Sequence, residues 1–142
     1  MMTRKQVIQA FKLDQRGLAR VFGELEARIM DVIWEVGEPT VADVCARLGT
    51  ECNYKTVMTV MNRLVDKGIL SRRRMGRAYS YAPCADRETF LAQVSRNVME
   101  GLLEDFGGLA IAQFVSAVDR IDFAQLAELQ ELIQARMDEG NR

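Results

Sequence analysis

Between residues 55 and 77 the chain carries seven basic residues against the single acid Asp66, and its hydrogen-bonding side chains recur at helical spacing. Lys55, Thr56, Thr59, Asn62, Arg63 and Asp66 fall on one side of a helix expected from Tyr54 to Lys67, opposite Val57, Val60, Met61, Leu64 and Val65. Amide and cationic groups on such a face can donate to phosphate oxygens and base edges, and threonine adds a methyl suited to the thymine methyl. Arg72, Arg73, Arg74 and Arg77 surround the segment Met75-Gly76-Arg77, a second cluster suited to neutralising phosphates. Thr40 and Tyr54, at the starts of two successive helices, complete the set of candidate nucleic-acid contacts. The plainer readings are a solvated helix face and a charged hairpin edge that resists strand pairing.

These side chains need a scaffold, and the flanking sequence predicts one. Leu25, Ile29, Val32, Ile33 and Val36 form the stripe of an amphipathic helix that Gly37 and Pro39 end. Thr40 is placed to cap a short second helix carrying Val41, Val44, Cys45 and Leu48, with Asp43 at its third position and Gly49 closing it. The turn Thr50 to Asn53 leads into the third helix, which Gly68 stops. Ile69 to Arg74 and Ala78 to Ala82 then predict two short strands, with Tyr79 and Tyr81 alternating against Ala78, Ser80 and Ala82. Helix, helix, turn, helix and hairpin is the order of a winged helix-turn-helix, in which the helix after the turn enters the major groove. The expected fold is mainly α with a small β-hairpin.

Beyond Pro83 and Cys84 the strand signals vanish and three helices are expected. Asp86 caps the first, whose stripe is Phe90, Leu91, Val94, Val98 and Leu102. Gly107-Gly108 interrupts it, and Leu109 to Val118 forms a second helix that includes Val115. Asp122 with Gln125 resembles a capping pair for the third, whose seam is Leu126, Leu129, Ile133 and Met137. Three such helices hold too little apolar surface for a core of their own, so they are expected to complete it across a homodimer. Phe90, Val94, Val98, Leu102, Val115, Leu126, Leu129 and Ile133 are the candidate dimerisation residues.

Charge follows the same division. Residues 1–83 hold 14 Lys/Arg and 9 Asp/Glu, whereas residues 84–142 hold 5 and 11, although the whole chain has a net charge of only -1. The expected organisation is a basic N-terminal arm over 1–22, a DNA-binding domain over 23–83 and a helical dimerisation domain over 84–142. In the arm, Arg4, Lys5, Lys12, Arg16 and Arg20 oppose only Asp14, and Val7, Ile8 and Phe11 are spaced as a helical turn.

Composition narrows the alternatives. A chain of 142 residues with 49% hydrophobic residues, 27% charged residues and two prolines can bury a core. Histidine is absent, and neither a phosphate-binding glycine loop nor a catalytic carboxylate pair is evident, so no enzyme and no cofactor is expected. No apolar run reaches the ~18 residues needed to cross a bilayer, and no signal-peptide core is present, so a cytoplasmic protein without membrane insertion is expected. Cys45, Cys52 and Cys84 lack C-x-x-C spacing and are expected to be reduced thiols, Cys45 in the core and Cys52 exposed in the turn. No metal site is assigned. A redox- or metal-responsive regulator using these cysteines is one alternative function, and a protein-interaction adaptor on a winged-helix fold is another.

The stretches GELEARIMDVIWEVGEPTVADV, YKTVMTVMNRLVDKGIL and GRAYSYAP, followed by SRN and FGGLAIAQFV, resemble the BlaI/MecI/CopY group of penicillinase and methicillin-resistance repressors. The resemblance runs from about Gly23 to Met137 and implies a homodimeric transcriptional repressor that binds a dyad operator through a recognition helix and wing. Copper-responsive members carry clustered cysteines near the C-terminus, and none follows Cys84 here. Members controlled by a sensor protease are cut after an asparagine in a serine-basic-asparagine-aromatic stretch. The matching residues are Ser95, Arg96, Asn97 and Val98, with valine in place of the aromatic residue. The resemblance therefore makes the bond between Asn97 and Val98 a candidate cleavage point and a sensor protease a candidate partner. The residue-level alternative is that Asn97 is an exposed helical residue.

Overall fold

The computed structural model describes residues 10–50 and 52–141. Arg4, Lys5, Val7 and Ile8 of the expected arm lie outside them. The chain divides into two compact units between Val98 and Met99, rather than at the expected junction near Pro83.

In the first unit, α1 (Glu24–Val36), α2 (Val41–Leu48) and α3 (Tyr54–Asp66) precede an antiparallel hairpin of β1 (Leu70–Met75) and β2 (Ala78–Pro83). The expected stops and caps form. Gly37 ends α1 with φ +101°, a backbone conformation costly for a residue with a side chain. At α2 the Asp43 N–H donates to Thr40 Oγ1 at 3.2 Å while the Thr40 N–H donates to Asp43 Oδ2 at 3.0 Å. The pair thus satisfies two amides that a bare helix start would leave open. Strand register pairs Leu70 with Pro83 and Met75 with Ala78 across a two-residue turn at Gly76-Arg77.

The core is built on α1 and α3. Ile29, Met30 and Ile33 face Val57, Val60, Met61 and Leu64, with Val41 and Val44 of α2 and Leu70 and Tyr81 of the hairpin closing round them. Val36, the last residue of the expected α1 stripe, is exposed, and Met30 is buried in addition.

Two boundaries differ from expectation for the same reason. The core takes in residues of the expected arm: Leu18, within a 3-10 turn (Gly17–Arg20), and Phe22, just after it, are both buried in it. Phe90 and Val94, expected at a dimer seam, are also buried in it, at 3% and 4% exposure. Helix α4 (Arg87–Phe106) begins directly after the hairpin, with Asp86 Oδ1 accepting from the Thr89 N–H at 2.7 Å. Its first turns pack on the preceding elements: Phe90 stacks on Phe22 with ring centroids 5.3 Å apart and meets Trp34 at 5.5 Å. The Trp34 indole N–H donates to the Ala85 carbonyl at 3.0 Å, and Arg87 pairs with Asp31 at 2.8 Å. An apolar stripe fixes which side of a helix is covered, and leaves open whether its own chain or another covers it.

The cysteines give a further correction. Cys45 and Cys52 are joined in a disulfide with Cα atoms 5.5 Å apart, and only Cys84 is a free, exposed thiol. Their separation of seven residues matches no familiar motif, but the tight turn at Gly49 folds the chain back on itself and brings the sulfurs together.

In the second unit the end of α4 leads to α5 (Gly108–Ile121) and α6 (Phe123–Gly140). Gly107 makes the break with φ +52°. Asp122 caps α6 by accepting from the Ala124 N–H at 2.9 Å, a cap that forms without the expected Gln125. No described side chain from Met99 onward is buried. Leu102, Val115 and Ile133 are exposed and Leu126 and Leu129 half-buried, as expected of helices without a core of their own. An apolar groove of about 660 Å³ runs between residues such as Leu103, Phe106, Phe114 and Leu129.

Candidate nucleic-acid interface

Helix α3 presents its polar side to solvent because its apolar side is fully used. Val57, Met61 and Leu64 are at most 1% exposed, whereas Tyr54, Lys55, Thr56, Thr59 and Arg63 are exposed. Asn53 starts the helix, its Oδ1 accepting from the Thr56 N–H at 3.2 Å. Thr59 Oγ1 donates to the Lys55 carbonyl at 2.9 Å, which fixes its rotamer and turns its methyl away from that bond. Met58 is also exposed on this helix. The sequence pattern passed over Met58, although it lies four residues from Tyr54 and one helical turn before Asn62.

Asn62 stands apart from its neighbours. It is half-buried, and its Oδ1 accepts from the Tyr81 hydroxyl at 2.8 Å and from Arg72 at 2.9 Å. This amide therefore ties the helix to the hairpin, and the Arg72 guanidinium also lies 4.8 Å from the centre of the Tyr79 ring. Tyr81 itself is buried and Tyr79 exposed. Simple alternation gives these tyrosines one face. It could not show that α3 covers that face only at the base of the hairpin.

The four hairpin arginines are not equivalent. Arg73 pairs with Glu38 through contacts of 2.5 and 2.9 Å, and the buried Ser80 donates to the same carboxylate at 3.1 Å. The backbone supports this junction, with the Tyr81 N–H donating to the Pro39 carbonyl at 2.8 Å and a bridge between Thr40 and Ser80. Arg74 Nε donates to the Gly76 carbonyl at 3.3 Å, bracing the tip. Arg77 is exposed and makes no ion pair among the described residues. Glu38 carried no signal in the sequence beyond lying between two helix-stopping residues, because its partner is 35 positions away. Thr40 is committed to capping α2.

The result is a helix with an exposed polar face tied through Asn62 to a basic hairpin, an arrangement able to read a groove with one element and grip the backbone with the other. The sequence matches the penicillinase repressor family over residues 22–135. The chain belongs to that family. It is similar to the transcriptional regulator BlaI of Mycobacterium tuberculosis, with 33% identity over 124 residues covering 84% of this chain and 88% of that protein. The penicillinase repressor of Bacillus licheniformis is 22% identical over 78% of this chain and 88% of its own length. Among solved structures, the Bacillus licheniformis BlaI monomer in complex with the blaP half-operator aligns at 29% identity and a TM-score of 0.41. That alignment covers 47% of this chain and 84% of the other. This family member is thus a BlaI-like transcriptional repressor with a winged-helix DNA-binding fold, not an enzyme.

The residues matching the family's cleavage stretch lie within α4. Asn97 is half-buried rather than exposed, and its Nδ2 is enclosed without a hydrogen-bond partner among the described residues.

Proposed function

We propose that the protein represses transcription as a homodimer on a dyad operator, each copy placing α3 in a major groove and the hairpin along the adjacent backbone. The observation that carries this reading is the continuity of the two elements through Asn62, which holds the exposed Lys55, Thr56, Thr59 and Arg63 beside Arg72, Arg74 and Arg77. Lys55, Thr56 and Thr59 would meet base edges, Arg63 and the hairpin arginines phosphates, and Tyr54 the backbone at the groove entrance. The unburied apolar surface of the second unit supports pairing through that unit. An adaptor function is less well supported, since a protein partner gives no reason for this concentration of exposed cationic side chains.

The chain's division one bond beyond Asn97-Val98 supports release by proteolysis. A cut there separates the DNA-binding unit from the unit that pairs, and each half-site is then held alone. Duplex titrations of the intact chain and of a chain ending at Asn97 test both parts. The intact chain is expected to lose affinity steeply with salt, and the shortened one to bind at least about a hundredfold more weakly. Equal affinities would remove the second unit from the mechanism.

A further inference from the structure

We propose that Cys45 and Cys52 form a reversible dithiol/disulfide site that locks the turn ahead of the recognition helix and so sets DNA affinity by redox state. The inference rests on the DNA-binding reading above. Cys45 lies midway along α2 and Cys52 in the turn that follows it, bonded across a Cα separation of 5.5 Å. Two backbone hydrogen bonds hold the ends of this segment independently of the bond: the Gly49 N–H donates to the Cys45 carbonyl at 3.1 Å and the Cys52 N–H to the Gly49 carbonyl at 3.2 Å. Reduction therefore leaves two thiols positioned to close again. Cys52 is only half-buried and borders a small cleft of about 80 Å³, lined by Leu25, Arg28 and Thr56 among others.

The consequence for DNA follows from position. Cys52 directly precedes Asn53, the residue that caps α3, and Tyr54, Lys55 and Thr56 form the next turn. With the bond closed, the turn has little freedom left to lose on binding; with it open, that freedom must be given up in the complex. The oxidised chain is therefore the tighter binder. A DNA-binding regulator works where thiols are ordinarily kept reduced, so a disulfide at this place is a transient, signalling one.

Closure needs only a low-molecular-weight disulfide, RSSR. The Cys52 thiolate attacks one of its sulfurs and expels RS⁻, and the Cys45 thiolate then attacks Cys52 Sγ and expels a second RS⁻. The two protein thiols lose their protons to the two expelled thiolates. The chain gives up two electrons, and RSSR becomes two RSH.

The test uses the full chain carrying Cys84→Ser, which removes the remaining free thiol, and a duplex enriched from a random pool by the intact protein. Affinity is measured after equilibration with oxidised or reduced glutathione, while alkylation and mass measurement count free thiols. The oxidised chain is expected to show no free thiol and to bind about tenfold more tightly than the reduced chain. A Cys45→Ser, Cys52→Ser chain should bind like the reduced form in both buffers. Two free thiols in oxidised glutathione, or equal affinities in the two states, would overturn the switch. Failure to bind duplex in either state would overturn the DNA-binding reading and the coupling with it, while the thiol count would still report whether the bond forms.

Discussion

Arg77 and Arg73 occupy the same basic hairpin, but their surroundings give them different roles. Arg77 has no ion pair among the described residues, so its charge is available to a phosphate, whereas Arg73 is already countered by Glu38. Arg77→Ala is expected to weaken binding to all duplex sequences alike and to reduce the slope of log affinity against log salt by about one. Glu38→Gln should act in the opposite sense, steepening the slope as Arg73 is released. Titrations at several salt concentrations check both, and an unchanged slope in Arg77→Ala would remove that residue from the backbone contact. Thr59 belongs to a different class: Thr59→Ala is expected to relax sequence preference, at about 1 to 3 kcal/mol for a lost base contact, while leaving the salt slope unaltered.

At the level of elements, α4 shows how a local cap serves tertiary structure. Hydrogen bonds from the Thr89 N–H and hydroxyl hold the Asp86 carboxyl below its ordinary value of 3.8. A lowered folded-state value means that the ionised cap stabilises fully above the ordinary carboxylate range and is lost as pH falls through the folded value. Asp86→Ala should therefore lower Tm at neutral pH, with the gap to the parent closing in strong acid; a gap independent of pH would contradict the cap. Phe90, between Phe22 and Trp34, should cost about 3 to 5 kcal/mol as Phe90→Ala in denaturant unfolding of the first unit. A loss below about 1 kcal/mol would place it outside the core. The sequence made α2, α3 and the hairpin legible because their caps, glycines and periodicity are local signals. What it could not show were partners that no local periodicity pairs: Glu38 for Arg73, Tyr81 for Asn62, Phe22 for Phe90, and, across a separation of seven residues, the sulfur of Cys52 for Cys45. The polar face of α3 was legible as a set, but not the assignment of Asn62 to holding the hairpin.

Across the whole molecule, opposite charge and opposite packing coincide. The N-terminal part is basic and closes its own core, whereas the C-terminal part is acidic and leaves its apolar side chains unburied. Acidic helices are poor partners for DNA, and exposed apolar ones need a cover, so in the proposed homodimer two such units pair and present two recognition helices to one duplex. For such a dimer, symmetry predicts a bound sequence that is an inverted repeat with half-sites about one helical turn, roughly 34 Å, apart. Selection of duplexes from a random-sequence library with the intact chain, followed by sequencing of the bound pool, tests this most directly. Enrichment of an inverted repeat at that spacing, with its preference relaxed in Thr59→Ala, is the predicted result; no enrichment, or enrichment of a single unrepeated site, would contradict it.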